Sequence, residues 1–158
     1  MSPRAACRLA TIGFTQVHDY VAGKTDWLAH GLPVEGDHAQ IVRAGSLARD
    51  DVITCHLDDP ITDLRDPVER SPYGFALVTT DDGILLGRLR ASAMKRAAAD
   101  AQAETVMEPG PSTVRADTPA AELAERLRQR ELTSAIVSTP EGRLIGVARP
   151  ADLEAASA

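Results

Sequence analysis

Shifted along itself by 59 positions, the sequence aligns residues 54–94 with residues 113–153 without a gap, and 11 of the 41 pairs are identical. The identities include Asp58/Asp117, Pro60/Pro119, Leu64/Leu123, Gly83/Gly142, Gly87/Gly146 and Arg90/Arg149. Conservative pairs such as Leu77/Ile136, Thr79/Ser138 and Met94/Leu153 lie among them. Alanine fills 26 of the 158 positions, yet only one of the identities, Ala76/Ala135, is an alanine, and the others include turn glycines, prolines and core positions. That distribution points to a duplication, not to shared composition. A unit of about 45 residues can hardly bury its own apolar face, so the two copies must pack together into one α/β body.

Each copy carries its elements in the same order. A short strand at Thr54 or Thr113 leads to an Asp and then a Pro, which suits a first helical turn because its missing amide has no partner there anyway. In the second copy the helix is predicted over 119–131, with Ala120, Leu123, Ala124 and Leu127 on one face and Glu122, Arg126 and Arg130 largely away from it. In the first copy Pro67 falls within the matching stretch, which predicts a broken or shortened helix. Strands at 75–79 and 134–138 come next, then a turn at Asp82-Gly83 or Glu141-Gly142, then second strands at 84–88 and 143–147. A closing helix starts at Ala91 or Pro150, and in the first copy the Ala-rich run extends it to about Gln102. The order is β-α-β-β-α. Residues 105–112, Thr-Val-Met-Glu-Pro-Gly-Pro-Ser, are too rich in Pro and Gly for regular helix and read as the boundary between copies. Ahead of the first copy, Leu47-Ala48 takes the place of Val106-Met107.

Composition excludes several classes of function. Only 3% of residues are aromatic and the net charge is −6, so base-stacking platforms and the basic excess that counters phosphate backbones are both missing; nucleic acid is not an expected partner. No run of about eighteen apolar residues and no signal-peptide pattern occurs, so no membrane association is expected and a cytoplasmic location is. Cys7 and Cys55 stand far apart outside any C-x-x-C spacing, which implies neither a disulfide framework nor a zinc ribbon and fits a reducing compartment. His18, His30, His38 and His56 show no ligand spacing, and Asp58-Asp59 and Asp81-Asp82 sit at turns where Asp is locally favoured. No metal centre is expected. There is no phosphate-cradling glycine loop and no nucleophile elbow, so no catalytic residue is assigned.

The duplicated residues resemble tandem CBS domains, the paired modules named after cystathionine beta-synthase. Val106-Met107 is followed by Pro and Gly and a Thr-led strand. Asp58-Asp59-Pro60 and Asp117-Thr118-Pro119 open helices, and Gly146-Val147-Ala148-Arg149-Pro150-Ala151-Asp152 shows a strand ending in Gly with a helix behind it. The similarity covers 45–156, with repeats at 45–103 and 104–158. It implies two β-α-β-β-α repeats packed as a pseudo-twofold pair. It also implies a regulatory or sensing module that needs no cofactor, performs no chemistry and binds an adenosyl ligand such as AMP, ATP or S-adenosylmethionine in the cleft between copies. Association of two modules into a homodimer is a further implication.

In the family pattern an Asp of the closing helix accepts hydrogen bonds from ribose hydroxyls. Asp152 matches it, whereas Ala93 holds the equivalent place in the first copy, so the resemblance favours the Asp152 side. Where Ser or Thr is usual, this chain has Arg149 and Arg90. A guanidinium beside a helix start suits a phosphate in fork geometry. Thr113, Thr133 and Ser134 lie where family members line the cleft with hydroxyl and backbone groups. The plainer alternatives are that Asp152 answers only the free amides of its helix, and that both arginines are solvated or ion-paired at the cleft edge.

Residues 1–36 belong to neither repeat. A helix is predicted over 2–12, ended by Gly13, then a strand over 14–20 and a helix over 25–30 closed by Gly31-Leu32-Pro33. Gly13-Phe14-x-x-Val17, Tyr20-Val21-Ala22-Gly23-Lys24 and the run from Asp26-Trp27-Leu28 to Gly36 resemble the last part of a rhodanese domain. Such a domain moves sulfane sulfur through a cysteine thiolate in a loop. That loop would precede Met1, and Cys7 falls inside the helix as a small buried side chain, so no sulfur transfer is expected. The segment is either a decayed domain or the tail of a longer chain, with Trp27 packed on the repeats or on a partner. Two alternatives to an adenosyl sensor therefore stand: a sulfurtransferase-related protein whose catalytic part lies upstream, and a protein-interaction module with an empty cleft.

Overall fold

The computed structural model describes residues 2–156. Ahead of the repeats come α1 (Ser2–Thr11), α2 (Gly23–Ala29) and a 3-10 turn at Asp37–Gln40. The first half then runs α3 (Ala44–Leu47), β1 (Thr54–Cys55), α4 (Ile61–Arg70), β2 (Phe75–Thr79), β3 (Leu85–Arg90) and α5 (Ala91–Arg96). The second runs α6 (Ala103–Val106), β4 (Glu108–Pro109), β5 (Thr113–Arg115), α7 (Ala120–Gln129), β6 (Ala135–Ser138), β7 (Leu144–Ala148) and α8 (Pro150–Ala155). Two sheets result, ordered β1-β2-β3-β4 and β5-β6-β7. In each, the first strand lies parallel to the second and the second antiparallel to the third.

The duplication appears in space as a pseudo-twofold relation. Leu85 N–H donates to the Gly142 carbonyl and Leu144 N–H to the Gly83 carbonyl, both at 2.9 Å, and a shift of 59 exchanges one bond for the other. Leu77, Ile136, Val147, Phe75 and Val52 form the apolar seam between the sheets. Burial of that seam is what a single copy lacks.

The stretches ahead of each copy cross over. Ala44 packs into the second core with Leu123, Leu127 and Leu153, and Leu47 and Ala48 lie against it, while Ala103, Val106 and Met107 pack on the first core with Ile61, Leu64 and Val68. Arg49 pairs with Val147, and Glu108 pairs with Arg88, again 59 residues apart on both sides. The crossing is tight at both of its glycine contact points. A Cβ on Gly146 would stand 2.3 Å from the Arg49 carbonyl oxygen, and one on Gly87 2.3 Å from Met107 Sδ.

Four local expectations fail for identifiable reasons. Helix α4 is not broken at Pro67 and has the same ten residues as α7. Pro67 and Asp63, whose carbonyl loses its partner, both lie on the exposed face, where solvent replaces the lost bond. Helix α5 stops at Arg96 rather than near Gln102, because the chain turns back to pair Gln102 with Pro60 and to bond Ala103 N–H to the Asp59 carbonyl at 2.9 Å. Residues 105–112, expected to hold no helix, begin inside α6 (Ala103–Val106), and β4 then joins the first sheet. Residues 14–20 pair with neither sheet and form no strand, and most of them stand exposed.

The N-terminal segment lies against the second repeat. Arg115 reaches toward the Thr25 carbonyl at 3.4 Å, and His30 approaches Glu141. Trp27 packs edge-on against Tyr20 and donates to the Pro33 carbonyl at 2.8 Å. Cys7 is exposed rather than buried. Cys55 is buried, which with the nearby Asp59 charge pushes its thiol up to about 11. The side chain of His38 lies outside the described residues.

Candidate functional site

The pseudo-twofold axis creates two equivalent grooves that are filled differently. In the first, β7 runs out through Arg149 in extended conformation, and Pro150 opens α8, which sets Asp152 in its first turn. Arg49 grips the Asp152 carboxylate with both ends of its guanidinium, Nε at 2.9 Å and Nη2 at 2.5 Å. Arg149 Nε adds a third bond at 2.9 Å. These bonds, from Arg49 first and Arg149 second, hold the carboxyl down to about 2. Alongside, the Tyr73 hydroxyl donates to Asp51, and burial first, that bond second, push the phenol up to about 12. The carboxylate expected to meet a ribose thus already holds two guanidiniums.

The matching groove is an open cleft of about 450 Å³ whose walls come from both repeats. From the first repeat it receives Phe75, Arg88 and Arg90; from the second, Ser112, Thr113, Ser134, Arg126 and Arg130. Arg88 and Arg90 share one carboxylate, Glu108, at 2.7 and 2.8 Å. Their bonds lower the Glu108 pKa, with Arg88 the larger cause. Arg126 and Arg130 have no ion-pair partner among the described residues. Four guanidiniums line this cleft, in a chain whose net charge is −6. The Thr113 hydroxyl accepts a bond from Ser138 at 2.9 Å and keeps its own proton to donate.

The structure therefore brings Arg90, Thr113 and Ser134 together and leaves Asp152 and Arg149 in the other groove. Thr133, although next to Ser134, is exposed and does not line the cleft. Sequence reasoning missed Arg88, Arg126, Arg130 and Ser112. Two signals were present: Arg88 and Arg90 are two apart on a strand and so share a face, and Arg126 and Arg130 are four apart on a helix. What could not be read was that the two pairs face each other.

Comparison with known proteins agrees with this architecture. Residues 103–158 match the CBS domain family model. No curated protein matches the chain. Among solved structures, the cytosolic domain of the Mg2+ channel MgtE in complex with ATP is similar at 22% identity and a TM-score of 0.63, over 75% of this chain and 50% of that one. The CBS domains of a transcriptional regulator from Streptococcus pneumoniae are similar at 17% identity and 0.62, over 73% and 98%. CBSX2 in complex with AMP is similar at 16% and 0.60, over 73% and 95%. The chain thus spans half the length of the channel domain and nearly all of the latter two. Two sheets related by a pseudo-twofold axis, crossed leading segments and these likenesses give the chain the fold of a tandem CBS domain pair, with the CBS domain itself matched in its second repeat.

Proposed function

We propose that this chain is a regulatory module that binds a phosphate-bearing adenosyl nucleotide in the open cleft between its repeats, at 45–103 and 104–158, and catalyses nothing. The observation that carries this reading is the convergence of Arg88, Arg90, Arg126 and Arg130 on one cleft, where only Arg88 and Arg90 have a carboxylate partner, Glu108. Guanidiniums present paired donors that match phosphate oxygens, and a concave, partly dry site strengthens each bond. Ser112, Thr113 and Ser134 supply hydroxyls on the facing wall, and Phe75, Leu123 and Leu132 supply apolar surface for a base. Similar folds are seen with ATP and with AMP bound. Because Asp152 is engaged by Arg49 and Arg149, the reading assigns the ligand to the Arg90 groove and gives Asp152 an architectural role.

Calorimetric titration with ATP, AMP and adenosine tests it. A charge-assisted hydrogen bond contributes roughly 1.5–3 kcal/mol, so ATP and AMP should bind at least about tenfold more tightly than adenosine. Equal affinity for all three, or binding by none, defeats the proposal.

A further inference from the structure

The open cleft is rich in hydrogen-bond donors and poor in acceptors. Its lining side chains include four guanidiniums and the hydroxyls of Ser112, Thr113 and Ser134, and among the described residues that line it none carries a carboxylate. A guanidinium only donates, whereas the oxygens of an ionised phosphoryl group accept. Arg88 and Arg90 alternate with buried Gly87 and Leu89 along β3, so both project from one side of the strand. The Glu108 carboxylate takes Arg88 on one oxygen at 2.7 Å and Arg90 on the other at 2.8 Å. This pair is therefore already shaped around a two-oxygen anion.

Arg126 and Arg130 enter from the other repeat, the first in the last turn of α7 and the second at its C-cap. Like charges four residues apart repel, and no ion pair offsets them among the described residues. The negative end of the helix dipole favours cations there, which accounts for their sign but not for their opening onto the same cleft as Arg88 and Arg90. Four guanidiniums against one paired carboxylate leave three positive charges around the cleft. A single phosphoryl group carries roughly −1.5 to −2 at pH 7. It leaves part of that charge uncompensated, and a second phosphoryl group makes up the rest.

Resting on the nucleotide reading of this cleft, we infer that it selects its ligand by a chain of two or more phosphoryl groups, which reaches from Arg126 and Arg130 on α7 to Arg88 and Arg90 on β3. The ligand class is then a nucleoside di- or triphosphate in preference to a monophosphate. A monophosphate engages one arginine pair, and the longer chain engages both.

The test is calorimetric titration of the full chain with adenosine, AMP, ADP, ATP and inorganic tripolyphosphate, free of divalent metal ions and at one ionic strength, since salt screens these contacts. ADP and ATP should bind at least about tenfold more tightly than AMP, and tripolyphosphate should compete with ATP. Arg88→Ala and Arg130→Ala, one from each wall, should each cost ATP about tenfold and AMP much less. Neither side chain belongs to the apolar core, and circular dichroism confirms that each variant folds. Equal affinity for AMP and ATP, both above adenosine, overturns the inference and leaves the nucleotide reading standing, as do equal losses for AMP and ATP in both variants. Tripolyphosphate binding as tightly as ATP does the reverse: selection by the phosphate chain stands and adenosyl recognition fails. Binding by none of the five overturns both.

Discussion

The two grooves on either side of the pseudo-twofold axis began as copies, and a handful of positions 59 apart now make them opposites. Arg90 and Arg149 are equivalent and both keep a guanidinium at the helix start, but their anionic partners come from different places. Arg149 bonds to Asp152 of its own helix, which Arg49 also grips, while Arg90 bonds to Glu108, the equivalent of Arg49. Ala93 stands where the other half has Asp152. In one groove the charges close on themselves. In the other, Arg88 and Arg90 share Glu108, and Arg126 and Arg130 line the cleft with no ion-pair partner among the described residues. A duplication supplies two grooves with one geometry, and a reversal of sign at Arg49/Glu108 with the loss of a carboxylate at Ala93 leaves one latched by its own charges and the other open.

The largest effect expected on this comparison is at the crossing glycines. Gly146→Ala drives a methyl into the Arg49 backbone, whereas Gly87→Ala meets chiefly the end of Met107, with the Glu108 carbonyl oxygen farther off at 3.2 Å. Overpacking costs about 1–3 kcal/mol, so urea denaturation should show Gly146→Ala losing about 3 kcal/mol and Gly87→Ala about 1, since a methionine side chain repacks easily. Equal losses would show that the two crossings are equally rigid.

A smaller effect separates the latched groove from the open one in acid. The Asp152 carboxyl titrates at about 2 in the folded chain against an ordinary 3.8. A depressed carboxyl contributes stability that is fully present above its ordinary value and is lost as pH falls through that window toward the folded one. Asp152→Asn should therefore flatten the loss of thermal stability between those two values. A curve as steep as wild type's would mean that other carboxylates carry it. Arg49→Ala removes the larger cause of the depression and should move the Asp152 titration, followed by carboxyl NMR, upward toward 3.8. The smallest effect concerns the thiols: with Cys7 exposed and Cys55 buried and raised to about 11, a thiol reagent should label one site in the native chain and two after unfolding.

Much of the fold was legible because the repeat spacing and the Asp-x-Pro helix starts are local signals. Helix α7 buries the four residues its periodicity assigns, and both hairpins turn at the glycines that mark them. The rest depended on contacts distant in sequence. The alanines after Arg96 favour helix intrinsically, but pairing of Gln102 with Pro60 overrides them. Residues 14–20 alternate like a strand, but a strand needs a partner, and among the described residues they pair with none. At the site, Arg90, Thr113 and Ser134 were legible as cleft residues. The capture of Asp152 by Arg49 was not, because the two are 103 residues apart. No local rule links them.

The most direct test of the two-groove account is calorimetric titration of ATP into wild type, Arg126→Ala, Arg130→Ala and Asp152→Ala. The account predicts at least about a tenfold loss for each arginine variant and little change for Asp152→Ala. A tenfold loss confined to Asp152→Ala, with both arginine variants binding as wild type, would contradict it.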